Sequence, residues 1–181
     1  IMNNTLGAVN GDSPLKNWAG SVKDYHKKFY KRVNPEFSLK RETQKYHCNS
    51  CIIGCGGICD IKDINNGEFK HTHKPEYETV CMFGGNLMNN DYNAIHYINE
   101  LLNRGGLDSI STGSVVAFAI ECFENGILMK SDTDGLDLTW GNQQAIVALV
   151  KKIIQRDGIG DLLADGVRVA SQKVGKGSEA Y

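Results

Sequence analysis

Proline is scarce in this chain: Pro14, Pro35 and Pro75 are its only three in 181 residues. So few prolines argue against a disordered or collagen-like polymer and leave room for long helices. A charge excess is missing as well. Lys and Arg number 20 against 21 Asp and Glu, giving a formal net charge of −1. With no basic run to follow a phosphate backbone, nucleic acid is not an expected partner. Long apolar runs are also absent. Stretches such as Val115–Ile120 fall far short of the ~20 residues that span a bilayer, so no membrane segment is expected. The chain opens at Ile1, without a charged n-region followed by an apolar h-region and cleavage site. It therefore reads as soluble and as a piece of a longer polypeptide, of a length that fits one ordinary domain.

Glycine is the residue in excess, 20 of 181, or about 11% against about 7% in average usage. Many glycines with few prolines suggest helices ended by Gly, or backbone pressed close to something bound. Six cysteines are present, and four of them, Cys48, Cys51, Cys55 and Cys59, fall close together. A disulfide framework would spread its bridges along a small secreted chain. Bunched thiols point instead to a metal and a reducing, cytoplasmic compartment.

Apolar periodicity is mostly helical. Ser13-Pro14 followed by Leu15, Trp18, Val22 and Tyr25 predicts a capped helix, interrupted at Asn34-Pro35, and a second helical stretch runs from Phe37 to Tyr46. Ile58–Thr72, with Asn65-Asn66-Gly67 inside it, predicts a short polar β-hairpin. Beyond Pro75 come four further helices. One is capped by Asp91 and closed by Gly105, and one runs from Ser114 to Gly126. The others cover Asn142–Asp157 and Asp161–Val174. The fold class is thus mainly α with at most one short β-hairpin. Ser131–Gly135 is the one conspicuous linker and divides a helical region over 1–130 from the start of another over 131–181.

The central feature is Cys48-Asn-Ser-Cys51-Ile-Ile-Gly-Cys55, a C-x2-C-x3-C run. Two intervening residues let both sulfurs of the first pair turn toward one centre. A third thiol one turn later covers another corner, and Gly54 lets backbone approach an inorganic sulfide. Soft thiolates select iron–sulfur or zinc. A structural zinc site usually pairs two knuckles or adds a distant His pair, and no second knuckle exists here. Iron–sulfur is therefore the leading reading, with a structural zinc module as the alternative. Cys59 either adds a fourth ligand or is a buried apolar residue, while Cys81 and Cys122 read as core. His71 and His73 read as a polar pair rather than ligands, and Glu121 and Glu124 as a solvated edge.

Further motifs follow in order: Lys74-Pro-Glu76-Tyr-Glu78-Thr79, Phe83-Gly-Gly-Asn-Leu87, Asn103-Arg-Gly-Gly106-Leu107-Asp108, Trp140-Gly-Asn142 and Asp157-Gly-Ile-Gly-Asp161-Leu-Leu. Together with the cysteine run they resemble the tungsten-containing aldehyde ferredoxin oxidoreductase family, over the middle of its chain. The resemblance implies largely helical domains closing over a tungsten (or molybdenum) bis-pterin cradled by an N-terminal β-rich domain. Cys48, Cys51 and Cys55 would ligate a [4Fe-4S] cluster, completed by a cysteine from a later C-terminal segment. Asn103, Gly106, Leu107 and Asp108 would contact a pterin. Here Asn103 replaces the family's leading Asp, so that contact lacks charge assistance. Glu78 or Glu76 would handle the proton released on aldehyde oxidation. Ferredoxin would be the electron acceptor, and a piece without its cradle domain would be inactive. The same motifs occur in the tungsten subunit of aromatic acyl-CoA reductases of the benzoyl-CoA type. Iron bridging two subunits is not expected.

Overall fold

The computed structural model describes residues 7, 9–24, 33, 34 and 36–181. Helix α1 (Glu36–Arg41) places Glu36 in its first turn and Lys40 and Arg41 in its last, each sign suited to the helix dipole. The chain then passes directly into β1 (Glu42–Tyr46), so the helix expected over 37–46 is half helix and half strand. Glu-Thr-Gln-Lys-Tyr has no apolar alternation to announce a strand. Its backbone is extended because it pairs with β2 (Gly56–Asp60), Gln44 opposite Ile58 through Tyr46 opposite Gly56. The expected hairpin is present as β2 and β3 (His71–His73), with Cys59 opposite Thr72. Asn65–Gly67 forms a 3-10 turn between them. Strand β1 makes the sheet three-stranded and antiparallel, in the order β1-β2-β3.

Helices follow the sheet: α2 (Tyr77–Phe83), α3 (Tyr92–Gly105), α4 (Ser109–Glu124), α5 (Gln143–Gln155), α6 (Ile159–Leu163) and α7 (Val167–Val174). Asp91 caps α3 by accepting from the amides of Asn93 and Ala94 at 2.9 and 3.2 Å. Asn142 caps α5 through the amide of Ala145. Helix α4 begins five residues before Ser114, because Asp108 caps it on the amide of Ser111 at 2.7 Å. Small and polar residues over 109–114 hide this first stretch from a periodicity reading. The helix expected over 161–174 is broken into α6 and α7 at Gly166, whose φ of 91° is foreign to a helix.

The N-terminal expectation is corrected too. Ser13–Asp24 forms turns, not a helix, and Lys16, Asn17 and Trp18 are left-handed at φ 49°, 50° and 67°. The amides of Lys16 and Asn17 are drawn to the carbonyls of Gly85 and Asn86, at 3.2 and 3.1 Å, which a helix would not allow. Tyr25 and Pro35 lie outside the described residues. The Ser131–Gly135 linker is a hydrogen-bonded turn, closed by the amide of Gly135 on the carbonyl of Lys130, with Thr133 buried beneath it.

Helix α4 is apolar on every side and fully buried through its middle, as such a helix must be. Val116, Phe118 and Ile120 share one buried core with Phe83 of α2, Ile95 and Ile98 of α3, and Ile146 and Leu149 of α5. Leu128 and Leu138, on either side of the 131–135 turn, join this same core. Cys81 and Cys122 are buried as expected. Among the described residues no single helix is long and apolar enough to cross a membrane.

Candidate site: a cleft beside the cysteine loop

The chain turns by 116° between α3 and α4, and this corner is the motif Asn103–Asp108. Gly106 takes the left-handed C-cap position at φ 67°, where nothing stands within 4 Å of a would-be Cβ. The amide of Leu107 returns to the carbonyl of Leu102 at 3.0 Å. Asp108 then caps α4, and the Ser111 amide holds its carboxyl below the usual carboxylate range. One carboxylate oxygen is thus engaged in the cap, and the group retains acceptor capacity for a second partner.

This corner forms one wall of a cleft of about 610 Å³. The facing wall is the segment from the end of β3 into α2, with Lys74, Glu76, Glu78 and Thr79. Two side-chain contacts set the walls in place. Thr79 Oγ1 lies 2.8 Å from Ser109 Oγ, and the Asn99 amide of α3 donates to Thr72 Oγ1 and to the His73 carbonyl at 2.9 and 2.8 Å. Glu76 occupies the N-cap of α2 without capping it through its side chain, and both glutamates are exposed. Of the residues expected at a pterin and proton site, Glu76, Glu78, Asn103, Leu107 and Asp108 all line this single cleft, and Gly106 makes the turn behind it. Tyr46 and His73 line it as well; His73 reads in the sequence only as half of a polar pair, and Tyr46 does not stand out. The only available signal was Tyr46 two residues before the first thiol.

The cysteine loop leaves the sheet at Tyr46 and returns at Gly56. Cys48 and Cys55 are exposed and Cys51 is half-buried, all three as free thiols. The Cys51 amide bonds the Cys48 carbonyl at 3.0 Å, which turns the C-x2-C pair back on itself. Among the described residues, no three His, Cys, Asp or Glu side chains converge tightly enough to hold an ion. The thiols share a loop rather than a point. As a donor set they still suit a cluster: soft, free, on one short turn, and three of the four thiolates that a cubane takes. Ile52 and Ile53 on the same loop are 95% and 78% exposed, an unusual placement for isoleucine in a loop with no packing of its own.

Gly54 has a protein neighbour inside the loop. The His47 ring fills the space where its side chain would be, and His47 Nδ1 lies 3.1 Å from the Cys51 carbonyl. Cys59 is fully buried on β2, donates to the Ser38 carbonyl at 3.5 Å, and has its thiol pushed up to about 11 by burial. It is a core residue facing α1, turned away from the loop that carries the other three thiols. His71 and His73 share one exposed face of β3 around buried Thr72, and His73 bonds to Tyr46.

Comparison with known proteins places the chain in a family. The family model described as "Aldehyde ferredoxin oxidoreductase, domains 2 & 3" matches residues 2–181. The tungsten-containing aldehyde ferredoxin oxidoreductase of Pyrococcus furiosus is 35% identical over 158 residues, 87% of this chain and 25% of that protein. A second Pyrococcus furiosus protein, named as the WOR-like subunit of an aliphatic sulfonate oxidoreductase, is 31% identical over 94% of this chain and 26% of its own length. Among solved structures, the active-site complex BamBC of benzoyl coenzyme A reductase with 1,5-dienoyl-CoA superposes with a TM-score of 0.79. It is 28% identical, over 98% of this chain and 25% of that one. The chain spans about a quarter of the length of the curated relatives it matches. It belongs to the tungsten-containing aldehyde ferredoxin oxidoreductase family, as part of domains 2 and 3 of that family's oxidoreductases.

Proposed function

We propose that this chain is the portion of a tungsten-pterin oxidoreductase that carries a [4Fe-4S] cluster and one wall of the pterin site. The observation that supports it is the gathering of Glu76, Glu78, Asn103, Leu107 and Asp108 around one cleft, whose edge residue Tyr46 begins the thiol loop. Cys48, Cys51 and Cys55 would hold the cluster. Since Cys59 is committed to the core, a fourth thiolate would come from polypeptide outside this chain, as would the cradle that forms the opposite pterin wall.

When bound, the tungsten (or molybdenum) bis-pterin would supply two-electron oxidation of an aldehyde, with a [4Fe-4S] cluster held by Cys48, Cys51 and Cys55 supplying one-electron transfer to a ferredoxin. This chain's residues bind, orient and manage protons. Conversion of an aldehyde and water to a carboxylic acid releases two protons and two electrons. Glu78, in the first turn of α2, and Glu76 beside it are the carboxylates placed to accept a proton at the cleft. Asp108 would accept from a pterin amino group while capping α4, and the Asn103 amide oxygen would do so with less strength. The Thr79–Ser109 bond fixes the distance between the two sets.

Anaerobic purification of the intact protein tests this reading. Iron with acid-labile sulfide, tungsten, and aldehyde-dependent reduction of ferredoxin are the expected results. One zinc per chain without sulfide points to a structural metal site instead. The likeness to the benzoyl coenzyme A reductase complex, at 98% coverage, favours a second reading, reduction of an aromatic acyl-CoA thioester. Assaying benzoyl-CoA beside a panel of aldehydes separates the two.

A further inference from the structure

Strands β1 and β2 part at one residue pair. Tyr46 is the last residue of β1 and Gly56, opposite it, the first of β2. Residues 47–55, with all three clustered thiols, hang from that pair. Three contacts hold the tyrosine. Its ring occupies the space that any side chain at 56 would need, since an added Cβ there would overlap Cδ2, Cε2 and Cζ of the ring. Its hydroxyl lies 2.9 Å from Nδ1 of His73 on β3, with the two rings edge to face and 5.4 Å between centroids. The same side chain lines the cleft opposite the α3–α4 corner. One residue thus touches the ends of all three strands, the cleft wall and the root of the thiol loop.

The loop itself has little else to define how it leaves the sheet. Ile52 and Ile53 are exposed, two of the three thiols are exposed, and glycines stand at 54, 56 and 57. Short-range order comes from His47 over Gly54 and from the Cys48–Cys51 turn, both inside the loop. Among the described residues, Tyr46 ties its root to the body of the protein through a side chain with few torsions to freeze.

We infer that Tyr46 is a positioning residue: clamped between Gly56 and His73, it fixes the cysteine loop, and the inorganic centre the loop carries, relative to whatever occupies the cleft. This rests on the proposed reading of the loop as a [4Fe-4S] site and names the residue that sets the geometry. A phenylalanine keeps the ring on Gly56 and loses the bond to His73. An alanine at 46 frees the loop root. An alanine at 56 expels the ring, and an alanine at His73 removes its anchor.

The test uses the intact enzyme, purified anaerobically, as wild type and as Tyr46→Phe, Tyr46→Ala, Gly56→Ala and His73→Ala. Ile61→Ala, buried in a separate small cluster with Ile64 and Tyr97, controls for general destabilisation. Iron and acid-labile sulfide per chain, the rate of iron release to ferrozine and the electron paramagnetic resonance spectrum of the reduced cluster are read. Tyr46→Ala and Gly56→Ala are expected to release iron about tenfold faster, the usual scale for losing a supporting shell around a metal site, with a broadened spectrum. Tyr46→Phe, which keeps the ring on Gly56 and its edge-to-face contact with His73, should restore most of the retention. Ile61→Ala should lower Tm and leave release rate and spectrum unchanged. If the alanines at 46 and 56 do not fold, His73→Ala decides, because His73 is exposed: faster release supports the clamp, and wild-type release overturns it. Unchanged release and spectrum in Tyr46→Ala overturn the clamp and leave the cluster reading standing. Wild-type protein with zinc and no sulfide overturns both.

Discussion

Lys74 reaches over the middle strand to Glu42. Its Nζ lies 2.6 Å from Glu42 Oε2, and the two side chains are only 16% and 8% exposed. Glu42 opens β1 and Lys74 follows β3, so the pair crosses above Gly57 of β2. A Cβ at that glycine would come within 2.9 Å of the Glu42 carboxyl carbon. The Lys74 amide also bonds the Gly57 carbonyl at 2.7 Å. This ion pair fastens the sheet to the segment that delivers Glu76 and Glu78 to the cleft.

Removing one partner strands the other charge away from water. Lys74→Met is expected to cost about 3 kcal/mol, the scale for breaking a buried pair. The double variant Glu42→Gln/Lys74→Met should recover more than half of that. Urea unfolding of both single variants and the double completes the cycle, and strict additivity would show the pair to be uncoupled.

Asp108 has two candidate roles that substitution separates. Asparagine caps a helix about as well as aspartate, whereas alanine loses about 1 kcal/mol. Asp108→Ala should therefore lower Tm by ~2–4 °C, the scale for a chain of this size, and Asp108→Asn should not. If the carboxylate also holds a pterin, Asp108→Asn lowers the pterin content of the intact enzyme at unchanged Tm. Full pterin content in that variant restricts Asp108 to capping.

The cysteines divide by burial. Cys51→Ala in the intact protein is expected to abolish most bound iron with little effect on the fold, since the loop takes no part in the core. Cys59→Ala should keep its iron and lose about 1–2 kcal/mol, the scale for a small buried side chain. Iron analysis with thermal unfolding reads both. Iron lost on Cys59→Ala would return that thiol to the ligand set.

His96 makes stability depend on pH. It is fully buried, with Nδ1 2.9 Å from the Tyr92 carbonyl and Nε2 3.1 Å from Ser38 Oγ, and burial pushes it down to about 4 from the usual 6.5. Between those values the unfolded chain binds a proton that the folded chain refuses. The neutral histidine's contribution is therefore whole above pH 6.5 and drains away as pH falls toward 4. The shift corresponds to about 3 kcal/mol. Unfolding free energies across this window should fall more steeply for wild type than for His96→Gln, and parallel curves would remove His96 as the cause.

The motifs carried the family and the membership of the cleft. Glu76, Glu78, Asn103, Leu107 and Asp108 are separated in sequence yet line one space. Local chemistry also announced the cap at Asp91, because a cap is made within three residues of itself. The elements that went astray were governed from a distance. Lys16–Trp18 cannot be helical once Gly85 and Asn86 take their amides, and Glu42–Tyr46 is a strand because β2 lies beside it.

Apolar period, capping residues and thiol spacing are properties of neighbours along the chain, and they determined the helical class, the extents of α3 and α5, and the candidate ligands. Tertiary structure alone decided that Cys59 turns inward, that the His47 ring packs over Gly54, and that Tyr46 and His73 meet at the loop's root. Each depends on which backbone faces which across the sheet. That pairing is set by contacts between residues far apart in sequence, and no local pattern encodes it.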